Sequence, residues 1–132
     1  LVCGGRGGVM VAACHGAKEA GGTTVGILPG THRGEANRFV DIPIATGLGE
    51  ARNAVVVRTA DVVIAVSGGY GTLSEIGFAL KMGRPVVGLD TWELRQQGQP
   101  VAALAVADKP AQAVELALSL AERGQIEERG DG

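Results

Sequence analysis

Two glycine-rich segments hold most of the residues whose types and spacing could do chemistry. The first is Cys3-Gly4-Gly5-Arg6-Gly7-Gly8-Val9-Met10 and the second is Val66-Ser67-Gly68-Gly69-Tyr70-Gly71-Thr72. Each follows a short apolar run and opens a helical pattern. A turn without side chains lets backbone N–H groups converge on one point, and the helix that follows adds the positive end of its dipole. That combination suits a phosphate. The alternative is that glycine serves only tight turns and close helix–sheet packing. The recurrence of one design in a small chain favours an anion site lined by Gly4, Gly5, Gly7, Gly8, Gly68, Gly69, Tyr70, Gly71 and Thr72. Tyr70 could stack on a base there, or simply stand exposed at a loop tip.

Neither segment matches the common nucleotide templates. No Gly-x-x-x-x-Gly-Lys-Ser/Thr occurs, which argues against a triphosphate hydrolase of the Walker type. The Gly-x-Gly-x-x-Gly spacing of nicotinamide dehydrogenases is missing from both loops. Two further residues could act on a bound ligand. Arg52 sits one turn into a predicted helix, where its guanidinium could clamp a phosphate or a developing anion. Its plain alternative is a surface arginine with a packed stem. Glu75 closes the capping-box pattern Thr72-Leu73-Ser74-Glu75, which predicts that it reaches back to the Thr72 N–H. Otherwise it is a carboxylate beside a phosphate loop, able to bind ribose hydroxyls or steer a water.

The elements that must position these residues alternate between strand and helix, the signature of a parallel α/β sheet. Strands are predicted at Thr23–Leu28, Val62–Val66, Pro85–Leu89 and Val101–Val106, with a weaker one through Val40–Ile44 that ends at or soon after Pro43. Their continuous apolar runs predict cover by helices on both faces. Leu1-Val2-Cys3 reads as the end of another buried strand. Helices are predicted at about Val9–Ala20, Glu50–Ala60, Thr72–Met82 and Pro110–Arg123. The first ends at Gly21-Gly22 and the last at Gly124, with Asp108 as N-cap of the last. Residues 1–123 therefore form one domain, and 124–132 a frayed tail.

Composition narrows the function. The chain has 132 residues, a size typical of one domain, and 22 of them are glycine, against a usual ~7%. A net charge of −2 argues against an electrostatic nucleic-acid binder, and no apolar run approaches a membrane span. Cys3 and Cys14 are too few for a disulfide scaffold, so a reducing cytoplasm is expected. They read as small buried apolar residues. No metal site is expected, because His15 and His32 do not stand at ligand spacing from them. Arg33 and Arg38 read as solvated loop residues, and Trp92 as cover for a sheet edge or a subunit contact.

The second loop and its helix, Ser67-Gly68-Gly69-Tyr70-Gly71-Thr72-Leu73-Ser74-Glu75, resemble the Pro-Gly-Gly-x-Gly-Thr-x-x-Glu hallmark of the LOG superfamily. Arg52-Asn53 falls where the cytokinin-activating members carry an Arg-Lys pair. The resemblance extends from Leu1 to about Leu120. Gly47-Leu48-Gly49-Glu50-Ala51-Arg52-Asn53 and the Ile76–Pro85 stretch look closer to the molybdenum-cofactor-carrier-like branch. The resemblance implies a Rossmann-like three-layer sandwich with a mainly parallel sheet, and a homodimer. Apolar helices at Ala51–Val57 and Ile76–Leu80 agree with a subunit contact. It also implies a strand–helix unit ahead of the segment that starts at Leu1, which we expect in the intact protein.

Two functions follow from the resemblance. The first is a carrier for a phosphorylated, nucleotide-like ligand, with a nucleotide or the molybdenum cofactor as cargo and no cofactor required for chemistry. The second is a phosphoribohydrolase that cleaves nucleoside 5′-monophosphates to free base and ribose 5-phosphate. Carried over by position, Glu75 would bind the ribose and assist the attacking water, and Arg52 would stabilise charge at the breaking bond. Gly68, Gly69, Gly71 and Thr72 would hold the phosphate. Ser67 in place of the motif proline and Asn53 in place of lysine depart from the hydrolase pattern and favour the carrier. The lysine decarboxylase label that some relatives bear does not suit this chain. Lys18, Lys81 and Lys109 lack the setting of a pyridoxal-phosphate lysine.

Overall fold

The computed structural model describes residues 1–130, without the side chains of 125–129. The chain forms two compact units, Leu1–Thr59 and Ala60 onward. In the first, β1 (Val2–Cys3), β2 (Val25–Leu28) and β3 (Ile42–Ala45) form a parallel sheet in that order, with α1 (Val9–Glu19) and α2 (Arg52–Thr59). In the second, β4 (Val63–Val66), β5 (Val86–Leu89) and β8 (Leu104–Ala107) pair in parallel. Around them lie α3 (Tyr70–Lys81), α4 (Pro110–Gly130) and a small antiparallel hairpin, β6 (Arg95–Gln96) and β7 (Gln99–Pro100). The architecture is Rossmann-like α/β, with mainly parallel sheets.

Packing in the second unit follows the strand register. Val87 and Ala105 share one face of the sheet with Leu89 and Ala107. Val87 and Ala107 there bury with Ala113 and Ala117 of α4, flanked by Leu116 and Leu120. Spacings of three and four along α4 put those residues on one helix stripe. On the opposite face Ala65 and Val86 are buried too, and α3 meets β4 and β5. Cover is incomplete, however. Ile64 is 38% exposed and Val106 69%, so the expectation of strands buried on both faces fails at these positions. In the first unit Cys14, Ile27, Leu28 and Val57 are buried, whereas Val2 and Cys3 of β1 are only half-buried.

Several predicted boundaries move, each for a local reason. Helix α2 starts at Arg52, after a 3₁₀ turn at Gly49–Ala51, so Arg52 opens the helix rather than lying one turn inside it. Pro43 stands within β3, opposite Gly26, because an edge strand tolerates a residue without an N–H. The Val101 N–H bonds to the Leu94 carbonyl beside the hairpin, and β8 begins only at Leu104. That hairpin turns through Gln97 and Gly98, both at positive φ, in a polar stretch with no strand pattern to announce it. Helix α4 continues through Gly124 to Gly130. The Lys109 carbonyl accepts the Ala113 N–H at 3.0 Å, and the Asp108 N–H donates to the Gln112 side chain at 2.9 Å, so Asp108 is not the N-cap. Asp131 and Gly132 of the expected tail lie outside the described residues.

Ends that match expectation do so through backbone bonds. Helix α1 stops where the Gly21 N–H meets the Lys18 carbonyl (3.0 Å) and the Gly22 N–H meets that of Ala17 (2.8 Å). Within the chain Val57, Ile76 and Ala79 are already buried, so these helices alone give no reason for a subunit contact. Among the described residues no helix is long and apolar enough to cross a membrane.

One polar tie fastens α1 to the loop before β3. Lys18 Nζ donates to Asp41 Oδ2 at 2.9 Å, and the fully buried Thr24 donates its N–H to the same oxygen at 2.9 Å. The Asp41 N–H in turn donates to Thr24 Oγ1 at 2.9 Å. The Lys18 ammonium, aided by the Thr24 N–H, holds the Asp41 carboxyl below its ordinary value of 3.8. A folded-state pKa below the unfolded one stabilises above that ordinary value and loses its effect as pH falls. Asp41→Asn should therefore lower the urea midpoint at neutral pH. The gap from wild type should close as pH falls below Asp41's ordinary value of 3.8, followed by circular dichroism.

Candidate functional site

The first glycine loop is held from below rather than left free. Arg52, at the start of α2, points Nη1 at two carbonyl oxygens, Gly4 at 2.6 Å and Ile27 at 2.9 Å. The guanidinium thus spans the carboxyl ends of β1 and β2. A Cβ on Gly4 would lie 2.2 Å from that Nη1, so glycine is needed to admit the arginine. Gly5 lies flat on β2: its Cβ would meet Gly26 Cα at 2.9 Å, a backbone atom that cannot swing aside. Its N–H donates to Cys3 Sγ at 3.3 Å, and its carbonyl accepts the Asn37 N–H at 2.8 Å. Gly4 and Gly5, expected from sequence to line the phosphate site, are both buried. Gly7 and Gly8 are exposed, with open space where a side chain would go. Gly8 is the N-cap residue of α1.

Cys3 and Cys14 stand with their sulfurs 3.5 Å apart, Cys14 buried and Cys3 half-buried. Burial pushes the Cys3 thiol up to about 11; the Gly5 N–H opposes this and the Cys14 sulfur adds to it. The Cys3 thiol is therefore protonated and weakly nucleophilic at neutral pH. Among the described residues no group of three or more His, Cys, Asp or Glu could hold a metal ion. His15 stacks on Phe39, with ring centroids 4.2 Å apart, and the Arg38 guanidinium lies 4.6 Å from the centroid of the same ring.

The second loop repeats the device with an indole. Trp92 Nε1 donates to the Gly69 carbonyl at 3.3 Å, through space that a Cβ on Gly68 would occupy at 2.8 Å from the same nitrogen. Its ring also stacks on Tyr70, with centroids 6.0 Å apart and planes 29° apart. Tyr70 is 82% exposed, the outer leaf of that pair. Sequence reasoning left Trp92 undecided, and no local signal links it to Gly68, because the two meet only in the folded chain.

Helix α3 begins at Tyr70 with Gly69 as N-cap, three residues before the N-cap that the capping-box pattern predicts. Gly69 is extended and has no side chain to cap with, so the chain enters the helix there and Thr72 is already its third residue. Thr72 is therefore not the N-cap that the capping-box pattern requires. Glu75 sits half-buried in the second turn of α3. First-turn N–H groups of a helix have no intrahelical acceptor, and the N-cap residue Gly69 makes no side-chain bond to them. Gly69 and Gly71 are exposed, and a Cβ at either would meet open space. Arg52 belongs to the first unit and Glu75 to the second.

Ser67 takes φ +59°, a value proline cannot adopt. The departure from the motif proline is therefore a change of backbone as well as of side chain. Ser67→Gly should raise stability by about 1 kcal/mol, and Ser67→Pro should lower it markedly. Among the loop glycines, Gly5→Ala should cost about 1–3 kcal/mol by overpacking, whereas Gly7→Ala and Gly71→Ala should fold nearly as wild type. Urea denaturation of the set separates glycines needed for packing from those open to a ligand.

Residues 1–123 match the model of the SLOG cluster4 family. An uncharacterized protein of Archaeoglobus fulgidus is 52% identical over 89 residues, which make up 67% of this chain and 58% of that protein. The chain thus spans little more than half of that relative. Among solved structures it is similar to the molybdenum cofactor binding protein of the phototrophic bacterium Rippkaea orientalis. The two share 43% identity and a TM-score of 0.79, over 91% of this chain and 76% of that one. It is likewise similar to the molybdenum cofactor carrier protein MCP of Chlamydomonas reinhardtii, at 42% identity and a TM-score of 0.74 over the same shares. With a glycine loop between strand and helix in each unit, and a family match over nearly its whole length, the chain belongs to the SLOG cluster4 family.

Proposed function

We propose that this chain binds and carries a phosphorylated ligand of the molybdenum cofactor type, with the phosphate seated at the glycine loops. Identity above 40% to two molybdenum cofactor proteins supports the cargo. The observation that carries the phosphate seat is the uncapped start of α3. There, first-turn N–H groups at Tyr70, Gly71 and Thr72 face an approach left open by Gly69 and Gly71. Gly7 and Gly8 at the start of α1 are the corresponding open positions of the first unit. A carrier needs only to bind, shield and release; no bond in the ligand has to break.

Phosphoribohydrolase activity is the second reading. It is favoured by one observation, that Glu75 stands half-buried in the second turn of α3, on the helix whose start forms the proposed phosphate seat. Against it stand Asn53, which removes a cation, and the hold of Arg52 Nη1 on the Gly4 and Ile27 carbonyls. A homodimer and a cytoplasmic location belong to the same proposal, the former measured by sedimentation.

The test is incubation of the purified chain with anaerobically released molybdenum cofactor, followed by gel filtration and metal analysis. Roughly one molybdenum retained per chain, and its loss in Gly69→Val at unchanged fold, is the expected result. Release of free base from nucleoside 5′-monophosphates by wild type, abolished in Glu75→Gln, would instead establish the hydrolase.

A further inference from the structure

Beside the second glycine loop, at the carboxyl ends of β5 and β8, lies a groove of about 490 Å³ that the phosphate reading leaves unused. That volume falls within the ~300–1,000 Å³ usual for small-molecule sites. Its apolar lining is Leu104, the Trp92 ring and Val106, whose high exposure on a parallel strand is unusual. Its polar lining is three carboxylates, Asp90, Glu93 and Asp108, with no cationic side chain among the lining residues. Among the described residues none of the three takes part in an ion pair or side-chain hydrogen bond. Asp90 and Asp108 follow directly on Leu89 and Ala107, which are paired across neighbouring strands.

The groove joins the glycine loop through Trp92, which lines it and donates to the Gly69 carbonyl. Thr91, also in the lining, holds its Oγ1 shut from solvent with no hydrogen-bond partner, 3.4 Å from where a Cβ on Gly68 would stand. A phosphate would be repelled from a groove bordered by three carboxylates. A flat, neutral ring with adjacent N–H donors fits instead: the apolar surface takes its face and a carboxylate takes two donors side by side.

We infer that this groove reads the edge of a fused heterocycle bearing a 2-amino-4-oxopyrimidine ring, the edge common to guanine and pterins. Asp90 or Asp108 accepts from its ring N–H and its amino group. The inference rests on the phosphate reading, since the ring is placed by a ligand already seated on the loop after β4.

The chain has one tryptophan, so fluorescence of Trp92 reports directly on the groove. Titrations with guanosine and inosine 5′-monophosphates compare rings with and without the amino group. Pterin and lumazine, the latter with a carbonyl in its place, make the same comparison for the other source. Ribose 5-phosphate probes the loop alone. About tenfold tighter binding of the amino-bearing member of one pair is expected. Asp90→Asn with Asp108→Asn should abolish that preference and leave ribose 5-phosphate binding unchanged. Asparagine tolerates the positive φ of Asp90, so these variants should fold. Which pair discriminates identifies guanine or pterin. Equal binding within both pairs, or a preference that survives in the double variant, would overturn the inference while leaving the phosphate seat intact. Failure of ribose 5-phosphate and of both nucleotides to bind would remove the phosphate seat and this inference together.

Discussion

A parallel strand that ends in a glycine loop leaves backbone carbonyls that must be met before the loop can hold a shape. In this chain a side-chain N–H meets them from within, through a space that only glycine leaves open. Arg52 does so in the first unit, reaching the Gly4 and Ile27 carbonyls past the missing Cβ of Gly4. Trp92 does so in the second, reaching the Gly69 carbonyl past that of Gly68. Once the carbonyls are tied inward, the N–H groups at the start of the next helix are left facing out. The loops are preorganised by these ties, which reduces what a ligand must order on binding.

This division of labour explains why glycines that look alike in sequence do different work. Gly4, Gly5 and Gly68 admit a neighbour, whereas Gly7, Gly69 and Gly71 border open space. The alternation of apolar runs and helical patterns was enough to read the α/β class and four of the helices. Partner identities were not legible, because they join residues far apart in the chain, 48 positions between Arg52 and Gly4 and 23 between Trp92 and Gly69. The start of α3 was misplaced for a related reason. A capping box at Thr72–Glu75 is a sound local signal, but the extended Gly69 lets the helix begin earlier. The hairpin at Arg95–Pro100 escaped because its turn residues, Gln97 and Gly98, sit among polar neighbours with no alternation.

Ser67 bears on how far the family resemblance carries. Its backbone at φ +59° differs from anything a motif proline could adopt, so the chain enters this loop along another path than proline would impose. Together with Asn53, this separates the chain from the hydrolase pattern at two positions, one in α2 and one directly after β4. Gly68, Gly69, Gly71, Thr72 and Glu75 still stand at the motif's positions. Family membership and the likeness to molybdenum cofactor proteins agree with that division.

The central claim is that a phosphorylated ligand settles on the uncapped start of α3, beside Trp92. Amide hydrogen exchange of the full chain, with and without molybdenum cofactor, tests it most directly. The account predicts slowed exchange at Tyr70, Gly71 and Thr72, and at the segment around Trp92, with the remaining strands little changed. Exchange at those amides that stays the same while cofactor is demonstrably bound would place the ligand elsewhere and contradict the account.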